Sequence, residues 1–203
     1  MNKNFLHVGC GTLTKEHTTP EFNSSDWDEI RVDIDEGVNP DIVSSIIDMS
    51  SIESNSFDAV YSSHNIEHLY AYEVPIALKE MFRVLNDDGF LIITCPDLQS
   101  VCAEVANGKL VDSLYESGMG PVAAIDILYG FRPSLQKGNH YMAHKVGFTK
   151  EVLQSTLIAS GFKQAVVAAH SPTYVLWGIA SKNVNEDPND LLTHLRKHSI
   201  LLQ

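Results

Sequence analysis

The sequence predicts one α/β domain whose sheet is mostly parallel and covered on both faces. Two observations predict it: five short, nearly continuous apolar runs separated by helical or irregular segments, and a Gly-x-Gly turn directly after the first run. Strands buried on both faces lack a polar side to alternate with, so they read as unbroken apolar stretches. The 203 residues suffice for one substantial domain, which should bury roughly 70% of its extended-chain surface. Apolar residues make up 44% and charged residues 20%, which excludes disordered and fibrous architectures.

Phe5-Leu6-His7-Val8 forms the first run and ends at Gly9-Cys10-Gly11. Ile30 to Ile34, Ile42 to Ile47, and Ala59-Val60-Tyr61 behind Phe57-Asp58 supply the next three, and Phe90 to Cys95, closed by Pro96, the fifth. Between the fourth and fifth, Leu69, Tyr72, Ile76, Met81, Phe82 and Leu85 predict the apolar face of a helix, with Glu73, Lys79 and Glu80 toward water. Pro75 fits that helix in its first turn or at a kink, and Asp88-Gly89 predicts a turn into the fifth strand. Gly108, Gly118, Gly120 and Pro121 break the following segment into an insertion of short helices, and residues 98–147 read as an insertion or lid on a single domain spanning 1–203. Thr149 is the expected N-cap of a helix through Val152, Leu153, Leu157 and Ile158, ended by Gly161. Gln164–Ala169 and Tyr174–Ala180 read as late strands joined through Ser171-Pro172-Thr173, and Leu191–Leu202 as a terminal helix.

The formal charge of -12, from 14 Lys and Arg against 26 Asp and Glu, repels polyanions and disfavours nucleic acid as a partner. The apolar runs are far shorter than a membrane span, and the N-terminus leads straight into a strand instead of a secretory signal. Cys10, Cys95 and Cys102, odd in number and widely spaced, read as free thiols of a cytoplasmic protein. No sequence feature sets the oligomeric state.

Gly9 and Gly11 follow the first strand, where missing side chains let backbone N–H groups approach a ligand. Asp33 ends the second strand, 22 residues after Gly11, where a carboxylate can accept both hydrogen bonds of a ribose diol; Asp35 competes for that role. Asp48-Met49 after the third run suits an adenine, with the carboxylate taking the exocyclic amine and the methionine covering the ring. Position 14 is Thr14, where a dinucleotide-binding turn has its third glycine, and the threonine-rich stretch behind it is a poor helix former. A cofactor with ribose and adenine but no pyrophosphate asks less of this turn, which disfavours an NAD-dependent oxidoreductase.

With these pieces in order, the sequence resembles a class I S-adenosylmethionine-dependent methyltransferase of the type 11 kind. The resemblance rests on His7-Val8-Gly9-Cys10-Gly11, Val32-Asp33-Ile34-Asp35, Ile47-Asp48-Met49, the stretch from Phe57 through Leu69, and Arg83 through Leu91. It implies a Rossmann-like three-layer α/β/α sandwich with a seven-stranded sheet whose last strand is antiparallel. It further implies S-adenosyl-L-methionine as cofactor, with Gly9 and Gly11 at its methionine end, Asp33 at the ribose, Asp48 and Met49 at the adenine, and Ser63 and His64 nearby.

Methyl transfer needs the acceptor's lone pair behind the methyl carbon, and a base only if the acceptor must lose a proton. His64, His140 and His144 are the candidate bases, because imidazole titrates near neutrality. The aromatic and cationic cluster from Tyr129 to Phe148 forms a candidate acceptor wall for a small molecule. Arg132 and Lys145 suit a carboxylate or phosphate there, and Tyr141 suits a planar ring. His64-Asn65-Ile66-Glu67-His68 also fits the H-x-x-E-H pattern of zinc peptidases, but it follows a sheet strand directly and lacks a downstream acidic ligand, so no metal ligands are assigned. A cofactor-binding or interaction protein without catalysis is the remaining alternative.

Overall fold

A computed structural model describes residues 2–183 and 187–199. Its main sheet has seven strands: β1 (Lys3–Val8), β2 (Trp27–Asp33), β3 (Ile42–Val43), β4 (Phe57–Ser63), β5 (Leu85–Pro96), and two late strands, Gln164–His170 and Val175–Ser181. Two further strands, β6 (Ser113–Ser117) and β7 (Gly120–Ala123), make a separate hairpin, so the late pair is β8 and β9. The spatial order is β3-β2-β1-β4-β5-β9-β8. β9 runs antiparallel to β5 and β8, while β1 to β5 are mutually parallel. The chain therefore reverses its direction of winding at β1, which lies between β2 and β4. Val8 is in register with Val32 on one side and Ser62 on the other, so the carboxyl ends of three strands open into one crevice.

Alternation along the strands sends side chains to two cores. Leu6, Val8, Val60, Leu91 and Ile93 face the helices α1 (Val74–Val84) and, further along the chain, Lys150–Ala159. Phe5, Ala59, Tyr61, Phe90 and Ile92 face the other way, onto Phe22, Trp27 and the last helix, Pro188–His198. Between these lie α2 (Leu98–Ala106), α3 (Ala124–Tyr129) and α4 (Arg132–Gln136), which makes the two just mentioned α5 and α6. The helix-poor stretch after the glycine turn holds only one 3-10 turn, Lys15–His17, and plugs the second face with Phe22, stacked on Phe5 at 4.3 Å. No helix among the described residues is long and apolar enough to cross a membrane.

Local chemistry accounts for where the elements depart from expectation. Helix α1 starts at Val74 with Pro75 in its first turn, and its buried face is Val74, Ala77, Leu78, Met81 and Val84; Tyr72 and Ile76 of the expected face are 70% and 46% exposed. Asp88-Gly89 lies inside β5, where the chain between Leu85 and Phe90 bulges against Phe57–Ala59 instead of forming a turn. The third run pairs only through Ile42–Val43 before turning back at Ser45 and Asp48. In the 98–147 segment Gly108, at φ 84, follows the end of α2 as expected, whereas Gly118 and Gly120 make the β6–β7 turn, with Gly120 at φ 113. That segment has its own small core of Val101, Val122, Ala124 and Ile127. Thr149 caps α5 as expected, accepting from Val152 N at 3.4 Å. Helix α6 begins earlier than expected because Asp187 caps it and Pro188 presets its first turn; residues 200–202 of the expected helix lie outside the described residues.

Candidate active site

The glycine turn, the tip of β2 and the residues after β4 enclose a crevice of about 360 Å³. Gly9 has φ 63, and a Cβ there would meet Asn65 Nδ2 at 2.2 Å; the Asn65 amide in turn donates to Val8 O at 3.3 Å. Gly9 is thus required by the packing of a neighbouring loop. Gly11, at φ 53, has nothing within 4 Å of its missing side chain, so its open side is free for a ligand.

Asp33 ties this turn to the second strand. Its Oδ2 accepts from Gly11 N at 2.8 Å and its Oδ1 from Asp35 N at 2.9 Å, leaving further lone pairs on both oxygens. Asp35 spends one oxygen on Gly37 N at 2.8 Å, as the cap of a 3-10 turn. Arg31 clamps the two loops together by donating to Gly11 O at 2.8 Å, Leu13 O at 3.0 Å and Asn39 O at 3.0 Å. Burial pushes the Cys10 thiol up to about 11 against the opposing Arg31 charge, so this thiol stays protonated.

The wall expected from Asp48 and Met49 is supplied by earlier residues. Because β3 is so short, the chain presents Ser44, Ser45, Ile46 and Ile47 to the crevice, facing Ile34 and Val38. Asp48 turns to a separate groove with Lys79 and Arg83, where hydrogen bonds from Ser50 hold its carboxyl below the usual range. Met49 is fully buried in the core, and its N–H donates to Glu80 Oε2 at 2.9 Å. Ser63 turns toward β5, its hydroxyl 2.8 Å from that of Thr94.

A second chamber, of about 320 Å³, adjoins the crevice and shares His64, His68 and Met142 with it. Tyr115, Met119, Phe131 and Tyr174 give it an aromatic and apolar wall. His64 stands at the junction with φ 48, its Nδ1 3.2 Å from Oε1 of Glu67. Glu67 is almost completely buried; burial raises its carboxyl, but the His64 hydrogen bond and the nearby histidines outweigh that and leave it below the ordinary value. His144 lines the chamber, held by Ile127 O at 2.6 Å from Nδ1, and burial lowers its pKa despite Glu67. The loop carrying it is stitched down by His144 N to Tyr129 O at 3.2 Å and Lys145 N to Glu67 O at 2.8 Å.

Tyr141 and Lys145 line the crevice side, with Lys145 Nζ 4.6 Å over the Tyr70 ring. Arg132 forks onto Asp126, at 2.6 Å and 3.1 Å, so its charge is already matched within the chain. His140 is exposed and lines neither cavity. Gly9, Gly11, Asp33, His64, Tyr141 and Lys145 therefore meet on one crevice and His144 joins His64 in the chamber, whereas Asp48, Met49, Ser63, Arg132 and His140 lie elsewhere. Asn65, Tyr115 and Tyr174 line these cavities without having been singled out in the sequence, and Met142 was marked only as part of the Tyr129–Phe148 cluster. Asn65, inside the stretch after β4, and Met142 carried a signal, whereas Tyr115 and Tyr174 reach the cavities from elements remote in sequence.

Residues 6–93 match the model of a methyltransferase domain family, a span containing the glycine turn, Asp33 and His64. No curated protein matches the chain. Among solved structures, it is similar to the 1,6-didemethyltoxoflavin-N1-methyltransferase of Burkholderia thailandensis, crystallised with 1,6-didemethyltoxoflavin and S-adenosylhomocysteine. The identity is 15%, the TM-score 0.56, and the match covers 90% of this chain and 72% of that one. A possible histamine N-methyltransferase of Thermotoga maritima matches at 15% identity and TM-score 0.55, over 90% and 84% of the two chains. An S-adenosylmethionine-dependent methyltransferase of Archaeoglobus fulgidus matches at 16% identity and TM-score 0.56, over 89% and 86%. At these identities the likeness establishes the fold.

Proposed function

We propose that the chain, whose residues 6–93 match a methyltransferase domain family, is a class I S-adenosylmethionine-dependent methyltransferase that methylates a small molecule held in the chamber beside its cofactor crevice. The observation that carries this reading is the junction at His64, His68 and Met142, which line both cavities. When bound, S-adenosylmethionine supplies an electrophilic methyl group on its sulfonium. The crevice residues fit that ligand: Asp33 has lone pairs left for a ribose diol, Ile34, Val38, Ile46 and Ile47 make an apolar slot for adenine, and the open side of Gly11 admits the methionine end.

The chain's own work is alignment and exclusion of water. Residues 98–147 act as the cover of the acceptor side, with Tyr115, Phe131 and Tyr174 flanking a flat or apolar acceptor. His64 is placed to take the acceptor's proton, with Glu67 orienting its ring. The small-molecule acceptor of the B. thailandensis enzyme is in keeping with this reading. We infer a cytoplasmic setting, with which three free thiols accord.

Calorimetry with S-adenosylhomocysteine tests the cofactor half, and methyl release to a panel of small acceptors tests the other. Micromolar binding with turnover is expected. Binding with no turnover across the panel would favour a cofactor-binding protein without catalysis.

A further inference from the structure

Glu67 leaves Oε2 buried and without a hydrogen-bond partner, an expensive arrangement for a carboxylate. Two imidazoles converge on it. Glu67, His68 and His144 each offer one ligand atom, and these atoms lie within 4.8 Å of one another. The rings of His68 and His144 meet at 4.9 Å and 64°. His68 Nδ1 lies 3.2 Å from Ala143 O, and His144 Nδ1 2.6 Å from Ile127 O. A carbonyl only accepts, so each Nδ1 carries the hydrogen and each Nε2 keeps its lone pair. Backbone carbonyls fixing the tautomer of two histidines, with a histidine steadying the far oxygen of the carboxylate, is the outer shell of a metal site.

We propose that Glu67, His68 and His144 bind one divalent first-row metal ion, zinc being the fitting occupant. Two imidazoles and a carboxylate suit zinc and leave a coordination position open for water or another ligand. All three residues line the apolar chamber, so that position faces the cavity. A tetrahedral zinc with bonds of about 2.0–2.2 Å sets its ligand atoms about 3.4 Å apart, so the triad, now within 4.8 Å, must contract by up to about 1.4 Å. The unpartnered Oε2 is free to make that move. The H-x-x-E-H pattern misleads here: Ile66–His68 is a 3-10 turn, not a helix, and the second histidine ligand comes from the distant His144 loop. The cation site stands independently of the methyl-transfer reading.

The test is a titration of chelator-treated protein with Co²⁺, without S-adenosylmethionine, read by visible d–d absorption and by competition with Zn²⁺. One saturable Co²⁺ per chain, displaced by Zn²⁺, is expected. Glu67→Gln and His144→Asn, checked for folding by circular dichroism, should each weaken binding at least about tenfold, whereas His17→Ala, at an exposed 3-10 turn, should not. Should one variant fail to fold, the other and the wild-type spectrum decide. A wild-type protein with no saturable band, or folded Glu67 and His144 variants binding as tightly as wild type, would overturn the proposal. Loss of binding on removing His17 would also overturn it, since the ion would then sit elsewhere.

Discussion

Asp33 does two things at once: it braces the glycine turn through Gly11 N and Asp35 N, and it turns its remaining lone pairs into the crevice. Hydrogen bonds to a charged group contribute about 1.5–3 kcal/mol each. Asp33→Ala is therefore expected to lower affinity for S-adenosylhomocysteine at least about tenfold and to lower the melting temperature as well. An unchanged dissociation constant in calorimetry would remove Asp33 from the cofactor site. A second residue gives a pH signature. His198 is buried beside Phe22 and Phe90, its Nδ1 2.9 Å from Thr19 Oγ1, and burial together with His194 and Lys197 lowers its pKa from 6.5 to about 3. Below pH 6.5 the unfolded chain binds a proton that the folded chain refuses until about pH 3, so this stability is complete above 6.5 and is lost as pH falls through that window. The loss should reach a few kcal/mol, and urea unfolding of His198→Gln should show a flatter slope between pH 6.5 and 4. A slope identical to wild type would assign the acid sensitivity to other groups. At this scale the position of Asp33 at the end of β2 was legible, because strand ends announce themselves in apolar runs. Asp48 was not, because the length of β3 depends on pairing that no local pattern records.

The loop from His140 to Val146 is the element that joins crevice to chamber, and its position is set by Gly130. A Cβ on Gly130, which sits at φ 104, would meet Met142 O at 2.1 Å. Gly130→Ala must both strain the backbone and push the loop away, at a cost of about 1–3 kcal/mol. The amides of His144 and Lys145, which donate to Tyr129 O and Glu67 O, should then exchange with deuterium faster than in wild type. Unaltered protection of those two amides would show that the loop is anchored by something other than this contact. Elements were legible where composition allows a single outcome. Thr149 capped its helix, and β8 and β9 formed around Ser171-Pro172-Thr173. The β6–β7 hairpin was hidden because Gly118 and Gly120 disrupt a helix and close a hairpin equally well. The face of α1 was misplaced because the pattern was started from Leu69 and Tyr72, which lie before the helix, and so ran through Ile76 and Phe82 instead of Val74, Ala77, Leu78 and Val84.

At the scale of the molecule, the cavities and the C-terminal helix occupy different parts of the sheet. The crevice opens at the carboxyl ends of β1, β2 and β4, whereas α6 lies across the face formed by Phe5, Tyr61, Phe90 and Ile92. Leu191 and Leu195 are fully buried there, filling the layer that the stretch between Gly11 and Trp27 leaves incomplete because it carries only a 3-10 turn and Phe22. Truncating one such leucine removes its transfer energy and leaves a cavity, typically costing about 2–5 kcal/mol. For a chain of this length each kcal/mol lowers the melting temperature by about 2–4 °C. Leu195→Ala should therefore melt well below wild type while binding S-adenosylhomocysteine unchanged at 25 °C, since the core cluster that holds Leu195 contains none of the crevice-lining residues. If affinity fell together with stability, the cofactor crevice and the α6 face would be energetically coupled. The two-sided sheet would then transmit strain from one layer to the strand ends instead of isolating them.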